Sequence, residues 1–315
     1  MESKVAKNTS NCRSLSVNIS RNFIAIKPLL QQQLLAVMNL VGTDIAPANL
    51  PSDLKLMSQM IPLHRLSDNT FVVYRCAIAF KLAPLWQLPA FDIANQLVAS
   101  LPINTQNTSS QICLDFSIEV VFPGWINFRL SSQGLAAWLQ QSLQTYPNQQ
   151  GQLDKNLKEA HNLFPAQYAH ARCCSLLRLA HQQNLIKLQD LSFKTLSCPF
   201  IEPHPIPWLD NDQQINTTTG QVQLRLVHLA EQHLIAQLLD WQDAINIQNQ
   251  GSSLKLASAL SKAFEKFYSS CRILGEVNSD TPKLAQARLG LLGLTQIILR
   301  SLLQDQLGVA APTEL

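Results

Sequence analysis

The sequence predicts two domains of different class, an α+β domain over residues 23–145 followed by an all-α helical bundle over 159–315. Three patterns carry that division. Apolar and polar residues alternate over 112–121 and again over 125–130, the two-residue period of half-buried strands. After residue 158 apolar residues recur instead at helical spacing, ending in a nearly unbroken apolar run over 289–299. Between these regions, residues 146–158 are rich in Gln, Asn and Gly and almost lack apolar side chains, which is the composition of a linker.

Along the chain, residues 1–22 show no sustained periodicity and are expected to form a mobile arm. Leu29, Leu30, Leu34, Leu35, Met38 and Leu40 lie at helical spacing, with Gly42 as the expected stop. A short extended stretch over 71–74 precedes helices over 75–83 and 92–100. The two strands follow, joined by a turn at Pro123 and Gly124. In the second strand Ile126, Phe128 and Leu130 face one way, while Trp125, Asn127 and Arg129 face the other. A helix carrying Leu135, Trp138, Leu139 and Leu143 closes this domain.

Helices dominate the second domain, interrupted by a proline- and asparagine-rich loop over 197–220. In the helix over 252–274, Leu256, Leu260, Phe264, Phe267 and Cys271 form the buried stripe. Lys255, Lys262 and Lys266 line up on another face. The last helix has Thr281 as N-cap, Pro282 at its first position and Gly308 as its end, a length of about 39 Å at 1.5 Å per residue. Being apolar almost all round, it belongs at the centre of the bundle.

Composition narrows the function classes. Charged residues are only 14% of the chain, and 24 Lys and Arg against 21 Asp and Glu leave a net charge of +3. The first 159 residues hold 12 basic against 9 acidic side chains and the remainder 12 against 12, so neither half has the basic excess by which nucleic-acid binders neutralise phosphates. RNA contact therefore depends on local basic groups. Residues 1–10 lack an apolar secretory core, and the run over 289–299 is too short to cross a bilayer, so a cytosolic protein without membrane contact is expected. Seven cysteines with no CxxC spacing read as reduced, packed thiols, with no metal or cofactor implied.

Several segments resemble one family. Phe164-Pro-Ala-Gln-Tyr-Ala-His-Ala-Arg172, followed by Ser175, Leu176, Leu177 and Arg178, resembles the opening helix of the DALR anticodon-binding domain of arginyl-tRNA synthetases. Ala263-Phe-Glu-Lys-Phe-Tyr-Ser-Ser-Cys-Arg-Ile-Leu-Gly275 is similar to a later segment of that domain, and Ala287-Arg-Leu289 and Leu307-Gly-Val-Ala-Ala-Pro-Thr-Glu-Leu315 to its end. Val121-Phe-Pro-Gly-Trp-Ile-Asn-Phe-Arg-Leu-Ser131 resembles part of the same enzymes' N-terminal additional domain. The two likenesses cover roughly residues 24–315. The chain departs from the pattern at Gly251, at Leu315 where Met is common, and in the segment 197–220, which looks like an insertion.

In the family a nucleotide-binding catalytic domain separates these two modules. This sequence has no His-x-Gly-His motif and no glycine-rich loop to cradle a triphosphate. The linker spans at most roughly 40 Å when extended. The resemblance thus implies a non-catalytic protein that engages tRNA, arginine tRNA in the first place, through its helical domain.

By the same resemblance the RNA-binding candidates are Tyr168, Arg172, Tyr268 and Arg272 on the two matching helices, with the Lys255, Lys262 and Lys266 stripe, and Asn127 and Arg129 on the outer strand face near the tRNA D-loop. Aromatic and arginine planes are what single-stranded RNA stacks upon. The same residues also fit structural roles: tyrosines at a core rim, arginines bridging helices, a solvated lysine face, and His170 as a packed neutral imidazole. An alternative from another class is a protein-interaction or assembly factor on the inherited bundle, docking a partner through Pro199, Pro203, Pro205, Pro207 and Trp208.

Overall fold

The computed structural model describes residues 13–19, 25–45, 61–67, 72–102, 112–145, 163–193, 199–210, 222–244, 250–275 and 280–315. The expected linker 146–158 lies outside them. The chain divides into one unit of residues 1–18 with 26–134 and a second of 19–25 with 135–315. The cut falls after Gly134, inside a helix.

The first unit is built on a five-stranded sheet of order β1-β4-β5-β3-β2, comprising β1 (Arg13–Ile19), β2 (Leu63–Arg65), β3 (Val73–Cys76), β4 (Ile112–Val121) and β5 (Trp125–Leu130). Helices α1 (Ile26–Ile45) and α3 (Ala90–Ser100) cover its inner face, and α2 (Ile78–Trp86) packs on α3. Ile126, Phe128 and Leu130 point into this core beside Leu114, Phe116 and Ile118 of β4. Each such buried side chain contributes about 1.5–3 kcal/mol relative to exposure. The β4–β5 turn needs glycine at its tip. Gly124 has φ +154°, and a Cβ there would stand 2.8 Å from the Cβ of Ala90 and 2.9 Å from its carbonyl carbon.

Three local expectations are corrected. Arg13–Ile19 was expected inside a mobile arm, yet it is an edge strand beside β4, with Leu15 and Val17 buried and Arg13 Nη1 donating to Ala99 O at 2.7 Å. Gly42 does not stop α1: it lies within the helix and is buried. The extended stretch set at 71–74 is β3, two residues later, because Tyr74 and Cys76 are the positions that pair with Phe128 and Ile126 across the inner face.

In the second unit α5 (Phe164–Gln182), α6 (Leu229–Ala244), α7 (Gln250–Ser270) and α8 (Pro282–Ser301) form the bundle. Helix α8 packs chiefly on α5, α6 on α7, and α5 also on α7. Residues 289–299 of α8 are buried throughout, as their all-round apolarity requires. The start of α8 has Pro282 at its first position, but Thr281 caps it with its carbonyl, which accepts from Leu284 N at 3.0 Å, and its side chain makes no cap bond.

Four short strands, β6 (Lys187–Leu188), β7 (Phe200–Glu202), β8 (Leu209–Asp210) and β9 (Gln223–Leu224), pair as β6–β7 and β8–β9, so part of the expected loop 197–220 is ordered against the bundle. Glycines permit the contact. A Cβ at Gly290 would lie 2.6 Å from the Trp208 ring, and one at Gly293 would lie 2.5 Å from the Phe200 ring. Helix α4 (Ser132–Gln144) supplies Gln140, whose Oε1 accepts from both Trp208 Nε1 and Ile206 N at 3.0 Å.

Candidate nucleic-acid interface

Helix α5 buries Ala166, Ala169, Ala171, Cys173, Leu177 and Ala180 and turns Phe164, Tyr168 and Arg172 outward at four-residue intervals. The interval makes them a stripe. Phe164 is 64% and Tyr168 50% exposed, and their rings stack with centroids 6.4 Å apart. Across from them α7 presents Tyr268, 37% exposed and stacked 6.0 Å from Phe264. The Arg172 guanidinium joins the two helices: its carbon lies 4.9 Å from the Tyr268 ring centroid, and its Nη2 donates to the Tyr268 hydroxyl oxygen. The Nε–H of Arg172 is buried without an acceptor among the described residues, so the guanidinium keeps an unused donor.

Beside this pair lies an open cleft of about 530 Å³. Tyr168, Arg172, Ser175 and Arg178 of α5 form one wall, with Glu314 and Leu315 opposite. The chain reaches that position because α8 ends in a π turn, Leu302–Gln306, and Gly308 at φ +65° turns the backbone along α5.

Residues 309–315 are then held by side chains of α5. Gln167 Nε2 donates to Ala310 O at 2.9 Å, His170 Nδ1 to Pro312 O at 2.7 Å and Arg178 Nη1 to Thr313 O at 3.0 Å. Arg178 also reaches Glu314 at 3.4 Å, donates to Leu191 O at 3.1 Å, and stacks 5.4 Å over Phe193. His170 is fully buried, accepts from Gln296 Nε2 at 2.9 Å, and is held below its ordinary pKa by burial, against the raising effect of the Pro312 carbonyl. Its bonding assigns the neutral Nδ1–H tautomer, a packed imidazole and not a proton-transfer group.

The remaining candidates of the helical unit are not among the residues lining the cleft. At 100° per residue, Lys255, Lys262 and Lys266 point roughly 140° around the α7 axis from Tyr268, and all three are exposed. Arg272 is exposed beyond the end of α7, and its carbonyl accepts from Arg288 Nη1 at 2.5 Å. Asn127 and Arg129, in the first unit, do face outward from β5. There Asn127 Oδ1 accepts from Arg75 Nε at 2.9 Å, and Arg75 lies 5.6 Å over the Trp125 ring.

The expected protein-docking group is corrected. Trp208 is 3% exposed and Pro199 is buried, Pro203 and Pro207 are half-buried, and only Pro205 of the group is open to solvent. Gly290 and Gln140 have drawn the tryptophan into the bundle, so it presents no aromatic anchor. Conversely, Phe164, Ser175, Arg178, Glu314 and Leu315 were not among the sequence candidates. The spacing Phe164, Tyr168, Arg172 is a usable signal, and the family resemblance implies that the segment up to Leu315 approaches the same site, which is where the structure brings Glu314 and Leu315.

Among the described residues Cys76, Cys173, Cys174 and Cys271 are buried free thiols. Burial pushes Cys76 and Cys174 up to about 12. No described helix is long and apolar enough to cross a membrane.

Residues 208–315, which include α6, α7 with Tyr268, and α8, match the DALR anticodon binding domain, and α5 lies outside that match. About half of the chain is similar to arginine–tRNA ligases. It is 32% identical over 145 residues to that of Synechococcus sp. (strain JA-3-3Ab), covering 46% of this chain and 21% of that protein. It is 32% identical over 155 residues to that of Moorella thermoacetica, covering 48% and 22%, and 28% identical over 212 residues to that of Heliobacterium modesticaldum, covering 66% and 31%. The last match takes in more of the chain than residues 135–315 contain, so it extends into the α+β unit. The chain spans between about a fifth and a third of the length of these curated relatives. No solved structure matches it.

Proposed function

We propose that this protein binds tRNA through its DALR domain without charging it, arginine tRNA being its preferred partner and the cytoplasm its place of action. The observation that carries the reading is the meeting of Tyr168, Arg172 and Tyr268, drawn from helices almost a hundred residues apart, at the rim of an open cleft. The half-exposed ring of Tyr168 and the Arg172 guanidinium lying over Tyr268 are surfaces on which unstacked bases of an RNA loop can stack.

The non-catalytic part of the proposal rests on what lies between the two modules. By the resemblance to the family, the linker 146–158 takes the position of a nucleotide-binding catalytic domain, and the chain has no His-x-Gly-His motif. Nothing within these residues offers a grip on a triphosphate. On the first unit, the outer face of β5 with Asn127 and Arg129 would supply a secondary RNA contact.

Titration of the purified protein with arginine tRNA and with an unrelated tRNA at about 50 and about 200 mM salt tests the reading. Selective binding to arginine tRNA, without pyrophosphate exchange, is expected. Equal, weak binding to every RNA, or recovery of a stoichiometric protein partner with no RNA, would remove it in favour of the assembly-factor alternative.

A further inference from the structure

We propose that residues 309–315 are a releasable strap whose seating builds the far wall of the cleft, with Arg178 as its clamp. No side chain after Leu307 is fully buried, so the segment is held against α5 by polar bonds and partial contacts and not by a core of its own. After the backbone bond from Val309 N to Leu303 O at 2.8 Å, it is anchored by three α5 side chains, Gln167, His170 and Arg178, bonded to the carbonyls of Ala310, Pro312 and Thr313. An ion pair between the mostly buried Arg178 and the exposed Glu314 is added to them.

Side-chain donors that hold backbone carbonyls recognise an extended chain and can release it without unfolding the helix that carries them. Yet the same segment supplies Glu314 and Leu315 to the cleft. A ligand touching both walls therefore binds the seated state better than the released one, and by reciprocity seats the strap. Arg178 sits at the junction, stacked on Phe193 and bonded to Leu191 O on one side and to the strap on the other.

The strap itself is tested without RNA. A nitroxide is placed on Ala310→Cys, with the reactive native cysteines replaced by serine, and the mobile and immobile spectral components are compared. Arg178→Ala should enlarge the mobile component. Gln167→Ala, which removes one exposed bond and is not part of the cleft lining, should raise the mobile-to-immobile ratio between about two- and tenfold. A single immobile spectrum unchanged by both variants overturns the proposal.

The coupling to the cleft rests on the tRNA reading and is tested separately. Arginine tRNA should shift the label toward the immobile component, and Gln167→Ala should weaken tRNA binding by up to the factor by which it releases the strap. If tRNA binds with its affinity unchanged by Gln167→Ala, the coupling is refuted. If tRNA does not bind at all, the function reading fails while the RNA-free spectra still decide the strap.

Discussion

If the cleft on α5 is where RNA sits, removing one tyrosine ring should cost far more than removing three lysines. Tyr168 offers a half-exposed face at the rim, and loss of one base–aromatic stack costs about 1–3 kcal/mol, so Tyr168→Ala should weaken tRNA binding between about 5- and 150-fold. The salt dependence should stay as it was, because a ring neutralises no phosphate. Among the described residues two cationic groups, Arg172 and Arg178, line the cleft, together with the Glu314 carboxylate. At about 0.7 per phosphate on a single strand, they account for a slope of log affinity against log salt of about −1.4.

Lys255, Lys262 and Lys266 lie roughly 140° away around α7, so their triple replacement by alanine should leave both affinity and slope nearly unchanged. The assay is fluorescence anisotropy with labelled arginine tRNA over a salt series for the three proteins. A triple variant that loses more than about tenfold in affinity and about 2 in slope, alongside an unaffected Tyr168→Ala, would show that the RNA lies on the lysine face and that the geometric argument is wrong.

Other consequences follow from the packing. Glu231 and Arg288 form a buried ion pair at 2.6 Å that also fixes His228 N and the carbonyl of Arg272, so Arg288→Met should destabilise the protein by roughly 3–5 kcal/mol in urea unfolding, with partial recovery on adding Glu231→Gln. At Gly290 a new methyl meets the Trp208 ring, which the Gln140 bond pins in place. Overpacking of about 1–3 kcal/mol should outweigh a helix gain of about 1 kcal/mol, so Gly290→Ala should lower the urea midpoint.

For His170, burial holds the folded pKa below 6.5. Between the two values the unfolded chain takes a proton that the folded chain refuses. Stability should therefore fall as pH drops below about 6.5, by at most about 1.4 kcal/mol per unit, and level off below the folded pKa. The difference in unfolding free energy between wild type and His170→Asn over pH 5–7.5 isolates this contribution; no difference in slope would place the imidazole in water.

The course of the chain was largely legible beforehand where side-chain period alone decides it. The β4–β5 hairpin and its inward and outward faces, and the buried α8, follow from spacing, because a strand repeats every two residues and a helix every 3.6. Even the strand in the supposed arm had a readable signal in Leu15 and Val17 set among Ser14, Ser16 and Asn18. It was too short to stand out against an unpatterned neighbourhood. Gly42 misled because glycine's low helix propensity, a penalty of about 1 kcal/mol, is a weak prior that burial of the position overrides.

Residue order and period are enough to give the pair of domain classes, the helix faces and the identity of the residues able to stack on a base. Only the tertiary structure decided which of those residues meet. Arg172 and Tyr268 come together because α5 and α7 cross, Trp208 disappears because two glycines admit it, and a cleft exists because a π turn sends residues 309–315 back along α5. Local period fixes directions around one element's axis, whereas proximity between residues far apart in the chain depends on how the elements pack, and a linear pattern does not encode that distance.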